Sequence, residues 1–157
     1  MTFAIKKQFV PLVDESAVAS LEATLGCALP PDYRQFLLAK NGGEPVNPVF
    51  ETTGSGGNYS DSAVRYFFSI ADKSTFSLKY KYEIYSGAGR IAKEMLPIAT
   101  DAGGNLVVLA IAGGQAGKVF FWNHEIEGLA DNPASTEHLA FVANSFTEFC
   151  EGLRPFS

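Results

Sequence analysis

Few residues in this sequence have the types and spacing that chemistry needs. The run Ala112-Gly113-Gly114-Gln115-Ala116-Gly117-Lys118-Val119 invites comparison with a phosphate-binding loop, whose glycines let backbone amides cradle an anion and whose lysine neutralises it. It fails at both ends, with alanine at 112 in place of the first glycine and Val119 in place of the hydroxyl residue. It also leads into a strand-like run, so no helix N-terminus is available to receive a phosphate. A turn between strands accounts for it. Gly54-Ser55-Gly56-Gly57-Asn58-Tyr59 has two glycines of a dinucleotide fingerprint but lacks the third, and no helix follows, so it reads as a loop. His124 and His138 are the only histidines and stand far from both cysteines, without the spacing of a zinc site. Cys27 and Cys150 could pair with a histidine as nucleophiles, or with each other in a disulfide. Cys150 falls on the apolar side of its predicted helix and Cys27 between Gly26 and Ala28, so both are expected as buried, inert thiols. Glu125 and Glu127 could do acid–base work, but nothing in the sequence puts them in a cleft. The residues therefore predict no catalytic set, no cofactor and no metal.

A chain of 157 residues fits one domain over 1–157, and 46% hydrophobic with 18% charged residues is an ordinary globular composition. Thirteen phenylalanines and six tyrosines against one tryptophan predict an aromatic-rich core. No apolar run approaches the roughly 20 residues a bilayer span needs, and the N-terminal residues lack the apolar region of a signal peptide. The expectation is cytoplasmic residence, and thiols rather than a disulfide. The net charge of −5 is uneven. Through Glu94 the acids and bases balance. Beyond it Asp101, Glu125, Glu127, Asp131, Glu137, Glu148 and Glu151 face only Lys118 and Arg154. Such a surface disfavours nucleic acid and favours a basic partner, whose association it accelerates. The plainer alternative is a solvated face that maintains solubility.

The stretch Leu96 to Glu125 organises the chain. Leu96-Pro97-Ile98-Ala99, Leu106–Ile111 and Val119–Trp122 read as consecutive strands between turn-forming clusters, and the uninterrupted middle run predicts a strand covered on both faces or central in the sheet. Upstream, Phe3–Val10 is a short edge strand or an ordered arm. Asp14 is a candidate N-cap for a helix over Glu15–Leu25, with Val13 and Val18 at staple positions and Gly26 as its stop. Pro31 opens a second helix carrying Tyr33, Phe36 and Leu37, which Asn41-Gly42-Gly43 ends. Val49-Phe50 can interrupt the polar 44–61 loop as a strand, and Val64–Ile70 is a strand by composition. Ser74–Tyr85 is ambiguous and its pattern leans to strand: Phe76, Leu78, Tyr80, Tyr82 and Ile84 alternate, though Leu78, Tyr82 and Tyr85 also share a helical face that Asp72 or Ser74 could cap. Ser145 and Glu148 form a capping box before a final helix with Phe146, Phe149, Cys150 and Leu153 on one side.

These residues carry a resemblance. Glu22, Leu25-Gly26, Leu29-Pro30, Tyr33-Arg34-Gln35-Phe36-Leu37 and Asn41-Gly42-Gly43 resemble the opening of the Smi/Knr-type domain of the SUKH superfamily. Leu96-Pro97-Ile98-Ala99 with Asp101, Gly104-Asn105 and Gly117 to Glu125 is similar to its strand block, and Val142 to Phe149 to its closing helix. The wholly apolar Val107-Val108-Leu109 departs from the family pattern. The resemblance implies an α+β fold with a twisted, mostly antiparallel sheet flanked by about four helices, and it makes Ser74–Tyr85 helical. It implies a non-catalytic protein: in bacteria an immunity protein that binds and neutralises a toxin, often a nuclease or deaminase, and in fungi a regulator of cell-wall assembly. With the acidic C-terminal third, the expected partner is a basic toxin domain, met by Glu125, Glu127, Asp131 and Glu137. An intracellular regulatory or scaffold module is the alternative.

Overall fold

The structure, a computed structural model, describes residues 3–53, 59–125 and 139–157. Local chemistry sets the first elements. The Asp14 carboxylate accepts from the Ala17 amide (3.1 Å) and opens α1 (Glu15–Leu25), which Gly26 closes in the left-handed region at φ +79°. Val18 is fully buried, and Val13 packs against the same core. Pro31 opens α2 (Pro31–Ala39), where a missing amide proton costs nothing. Its end is a sharp reversal through Asn41, Gly42 and Gly43, all at positive φ.

The N-terminal arm forms β1 (Ile5–Lys7), paired antiparallel with β2 (Glu44–Pro45). The main sheet holds β3 (Val49–Thr53), β4 (Tyr59–Ala63), β5 (Tyr66–Phe67), β6 (Met95–Thr100), β7 (Leu106–Ala110), β8 (Val119–Trp122) and β9 (Ala140–Ala143) in the order β4-β3-β9-β8-β7-β6-β5. Its strand pairings are antiparallel. Helices α3 (Leu78–Ile84) and α4 (Phe146–Glu151) complete the α+β fold. The three apolar runs of the central stretch are β6, β7 and β8, and every residue of β7 is buried. The glycine-rich segment between β7 and β8 is the turn expected of it: the Gly117 amide returns to Ala110 O at 2.8 Å, with Gly113 and Gly117 at positive φ.

The core lies on both faces of β6–β8. On one face an aromatic cluster joins α2 and α4 to the sheet, with Phe146 at 5.0 Å from both Tyr33 and Phe36 and Phe149 at 5.4 Å from Phe50. On the other, Tyr85 packs edge-on against Trp122 at 5.4 Å, and Arg90 lies over Tyr85 at 4.5 Å. Ser86 Oγ donates to Met95 O (2.5 Å) and Tyr82 Oη to Lys93 O (2.8 Å), which fixes the α3 segment against β6.

Three local expectations need correction. Val64–Ile70 is not one strand: only Tyr66–Phe67 pairs with β6, and beyond it the Ser69 amide turns to Phe76 O. Within Ser74–Tyr85 the helix starts at Leu78, and its cap is Ser77, whose Oγ accepts from the Tyr80 amide at 3.2 Å, not Asp72 or Ser74. In α4 the Ser145 hydroxyl accepts from the Glu148 amide (3.0 Å), but Glu148 reaches back to the Asn144 amide, one residue before the cap.

Candidate partner-binding surface

The motif residues gather in three corners, and in each the side chains clamp backbone. Glu22 Oε2 accepts from the Leu29 amide (2.8 Å) and Oε1 from Arg34 Nε (3.2 Å), so one carboxylate holds the α1–α2 connection to the second helix. Arg34 also bonds Glu15, and these two carboxylates hold its guanidinium above the ordinary arginine range. Asn41, 1% exposed, donates through Nδ2 to Pro11 O and Ile70 O and accepts at Oδ1 from the Ile70 amide. It thereby pins the N-terminal arm and the segment after β5 to the end of α2.

The third corner is the β6–β7 turn. Asp101 Oδ1 accepts from the Gly103 (2.9 Å) and Asn105 (2.8 Å) amides, and Oδ2 from Asn105 Nδ2 and Ser62 Oγ, both at 2.9 Å. Asn105 Oδ1 in turn accepts from the His124 amide (3.0 Å), and His124 Nε2 lies 2.8 Å from Gly103 O. One carboxylate thus ties β4 to the turn, and the turn holds the end of β8 through Asn105 and Gly103. Burial pushes the Asp101 carboxyl up, but the bonds from Asn105, Ser62 and Gly103 outweigh it and hold the group below its ordinary 3.8. Because the folded value lies below the unfolded one, the stability this group contributes is present above about pH 4 and is lost as pH falls through the folded value. Asp101→Asn is expected to cost about 1–3 kcal/mol at neutral pH, through donors left facing an amide, and to flatten the acid limb of stability. Urea melts from pH 7 down to 2 check this; an acid limb unchanged by the substitution overturns it.

The thiols are held protonated. Burial, with Glu22 nearby, raises Cys27, and burial, with Asp32 and Glu151, raises Cys150 well above the ordinary thiol range. Cys150 is buried as expected, whereas Cys27 is half-buried. Both are free. Among the described residues no three His, Cys, Asp or Glu side chains come together as a metal site. No helix among them is long and apolar enough to cross a membrane.

Of the residues assigned to partner binding, Glu125 is exposed just beyond β8, with its amide held by Asn123 Oδ1 at 2.9 Å. Glu127, Asp131 and Glu137 lie outside the described residues, as does His138. Asp101 is buried in the third corner, so the acidic excess open to a partner is narrower than the sequence suggests. Two further exposed carboxylates, Glu51 and Asp61, face each other across β3 and β4, and sequence reasoning passed over them. Neither has a local motif; their adjacency comes from strand register.

The SMI1 / KNR4 family (SUKH-1) model matches residues 12–152. The chain is 30% identical over 144 residues to the SPbeta prophage-derived uncharacterized protein YokK of Bacillus subtilis (strain 168), over 82% of this chain and 68% of that protein. The matched region takes in all three clamped corners and α4, and the chain belongs to the SMI1 / KNR4 family (SUKH-1).

Proposed function

We propose that this protein is a non-catalytic binding module, an immunity protein that neutralises a basic toxin domain by direct contact. The observation that carries the reading is how the chain uses its polar residues. Glu22, Asn41, Asp101 and Glu148, which could serve chemistry, are bonded to backbone amides and hold the fold. The thiols are kept from ionising. The Glu125 carboxylate stays exposed, on a chain of net charge −5. Family membership supports a non-catalytic domain. The relative is bacterial, which favours the immunity reading over a regulator of the fungal kind. Glu125, Glu127, Asp131 and Glu137 then steer and recognise the partner from the cytoplasm.

Co-expression with the toxin-like product of the neighbouring gene is the test. Rescue of growth and a complex on size exclusion are expected; neither appearing sinks the proposal. Within a complex, Glu125→Lys/Glu127→Lys is expected to slow association by about threefold to tenfold at low salt and by less at high salt, because exposed charges act through a screened field. Stopped-flow rates at two ionic strengths decide it, and an unchanged rate leaves these acids as a solubility face.

A further inference from the structure

The sheet is covered unevenly. β6, β7 and β8 are buried on both faces, except that Thr100 at the end of β6 is half-buried. β3 and β9 are covered on one face: Phe50 packs on Phe121 and Phe149, while Glu51 beside it is exposed. Antiparallel partners point to the same side of a sheet, and so do alternate residues of a strand. The registers Glu51↔Asp61, Thr53↔Phe141 and Val49↔Arg154 therefore put Glu51, Asp61, Arg154 and Phe141 on a single face, opposite α4.

That face is open. The side chains of Glu51, Asp61 and Arg154 are 58%, 61% and 50% exposed, and Phe141, which packs edge-on against Phe120 at 6.0 Å, is 37% exposed. Like charges directly opposite on paired strands destabilise the pair. Here Arg154 Nη2 answers both, 3.2 Å from Glu51 and 3.7 Å from Asp61. Two carboxylates share one guanidinium, so the face keeps a net negative charge beside an aromatic ring. Aromatic residues with few charges at the centre and charges around it are the composition of a protein interface.

We infer that this β4–β3–β9 face docks the basic protein partner: Phe141 seats in the partner's surface, and a partner arginine or lysine joins the carboxylates that Arg154 bridges. The inference rests on the binding reading above and adds a second contact surface to Glu125 and the acids after it. Affinities of the full chain for the toxin-like product of the neighbouring gene, at low salt, test it. Glu51→Gln/Asp61→Asn is expected to weaken binding about threefold to tenfold. Phe141→Ala is expected to weaken it about tenfold. Arg154→Gln is expected to strengthen it about threefold, because it releases both carboxylates, while Lys79→Gln, the same charge change on α3, alters it less. A structural role alone would weaken binding in every case or in none, and thermal melts confirm that each variant is folded. No complex with the unsubstituted protein overturns the proposed function and this inference together. A complex indifferent to these substitutions overturns the inference and leaves the function standing. Self-association of the free protein in sedimentation, abolished by Phe141→Ala, gives the face to a second copy and overturns it too.

Discussion

Gly42→Ala is expected to destabilise the protein by about 2–5 kcal/mol, a large share of the stability of a domain this size. Two costs combine. Gly42 sits at φ +80°, where a side chain costs roughly 1–2 kcal/mol. A Cβ there would also lie 2.5 Å from Phe68 O and 2.7 Å from Phe67 O, with Ser69 Oγ closer still. The two carbonyls belong to backbone held in place around β5, so relief requires moving a strand, and overpacking of that kind costs about 1–3 kcal/mol. Gly26 provides the control, with a similar φ of +79° and nothing within 4 Å of an added Cβ. Gly26→Ala should therefore cost only the conformational part. Urea midpoints of the two variants decide the matter: equal losses would show that the close approach contributes nothing.

Phe146→Ala is the second large effect, expected at about 3–5 kcal/mol. Phe146 is 3% exposed and meets Tyr33, Phe36 and Phe67 at ring separations of 5.0, 5.0 and 6.0 Å. It packs between rings of α2 and β5, and a cavity there has walls on three separate elements that cannot easily collapse together. A loss below about 1 kcal/mol in equilibrium unfolding would mean that the helices close over the gap, and would demote this contact. Phe156→Ala, at an exposed position, should be near neutral by comparison.

Much of this architecture was readable because its signals are local. Asp14 and Gly26 bracket α1, Pro31 opens α2, and the runs of the central stretch are strands. Each depends on residues within a few positions of one another. The misreadings occur where distant partners decide. Val64–Ile70 has the composition of a strand, yet its amides and carbonyls go to Gly43, Ile98, Phe76 and Leu78 in turn, so it cannot run straight along one neighbour. Ser77 wins the cap of α3 because Ser69 pairs with it and fixes where the helix begins.

The site shows the same division more sharply. Glu22, Asn41-Gly42-Gly43 and Asp101 with Asn105 were recognisable as a pattern, but the pattern does not say what they do. Their partners, such as Arg34, Ile70 and Ser62, come from other elements, and only those distances reveal clamps. The residues that identify the family are thus the ones that make the fold, and the proposed binding face lies elsewhere. Glu51 and Asp61 had no signature because a cross-strand pair exists only once register is set. Of the acids assigned from sequence, Glu125 alone falls among the described residues.

The position of β9 has a consequence for how this protein is made. It is bonded to β3 on one side and to β8 on the other, so a strand encoded late in the chain seats between two that were synthesised earlier. The β3–β4 hairpin cannot join the sheet on that side until residues 140–143 have left the ribosome. Until then both β3 and β8 present a bare strand edge, the feature most prone to pair with other chains. Closing so long a loop before any ladder bond rewards it makes the step slow and all-or-none. A chain cut short before Ala140 would keep those two edges open permanently, and its natural fate is aggregation rather than a smaller folded domain.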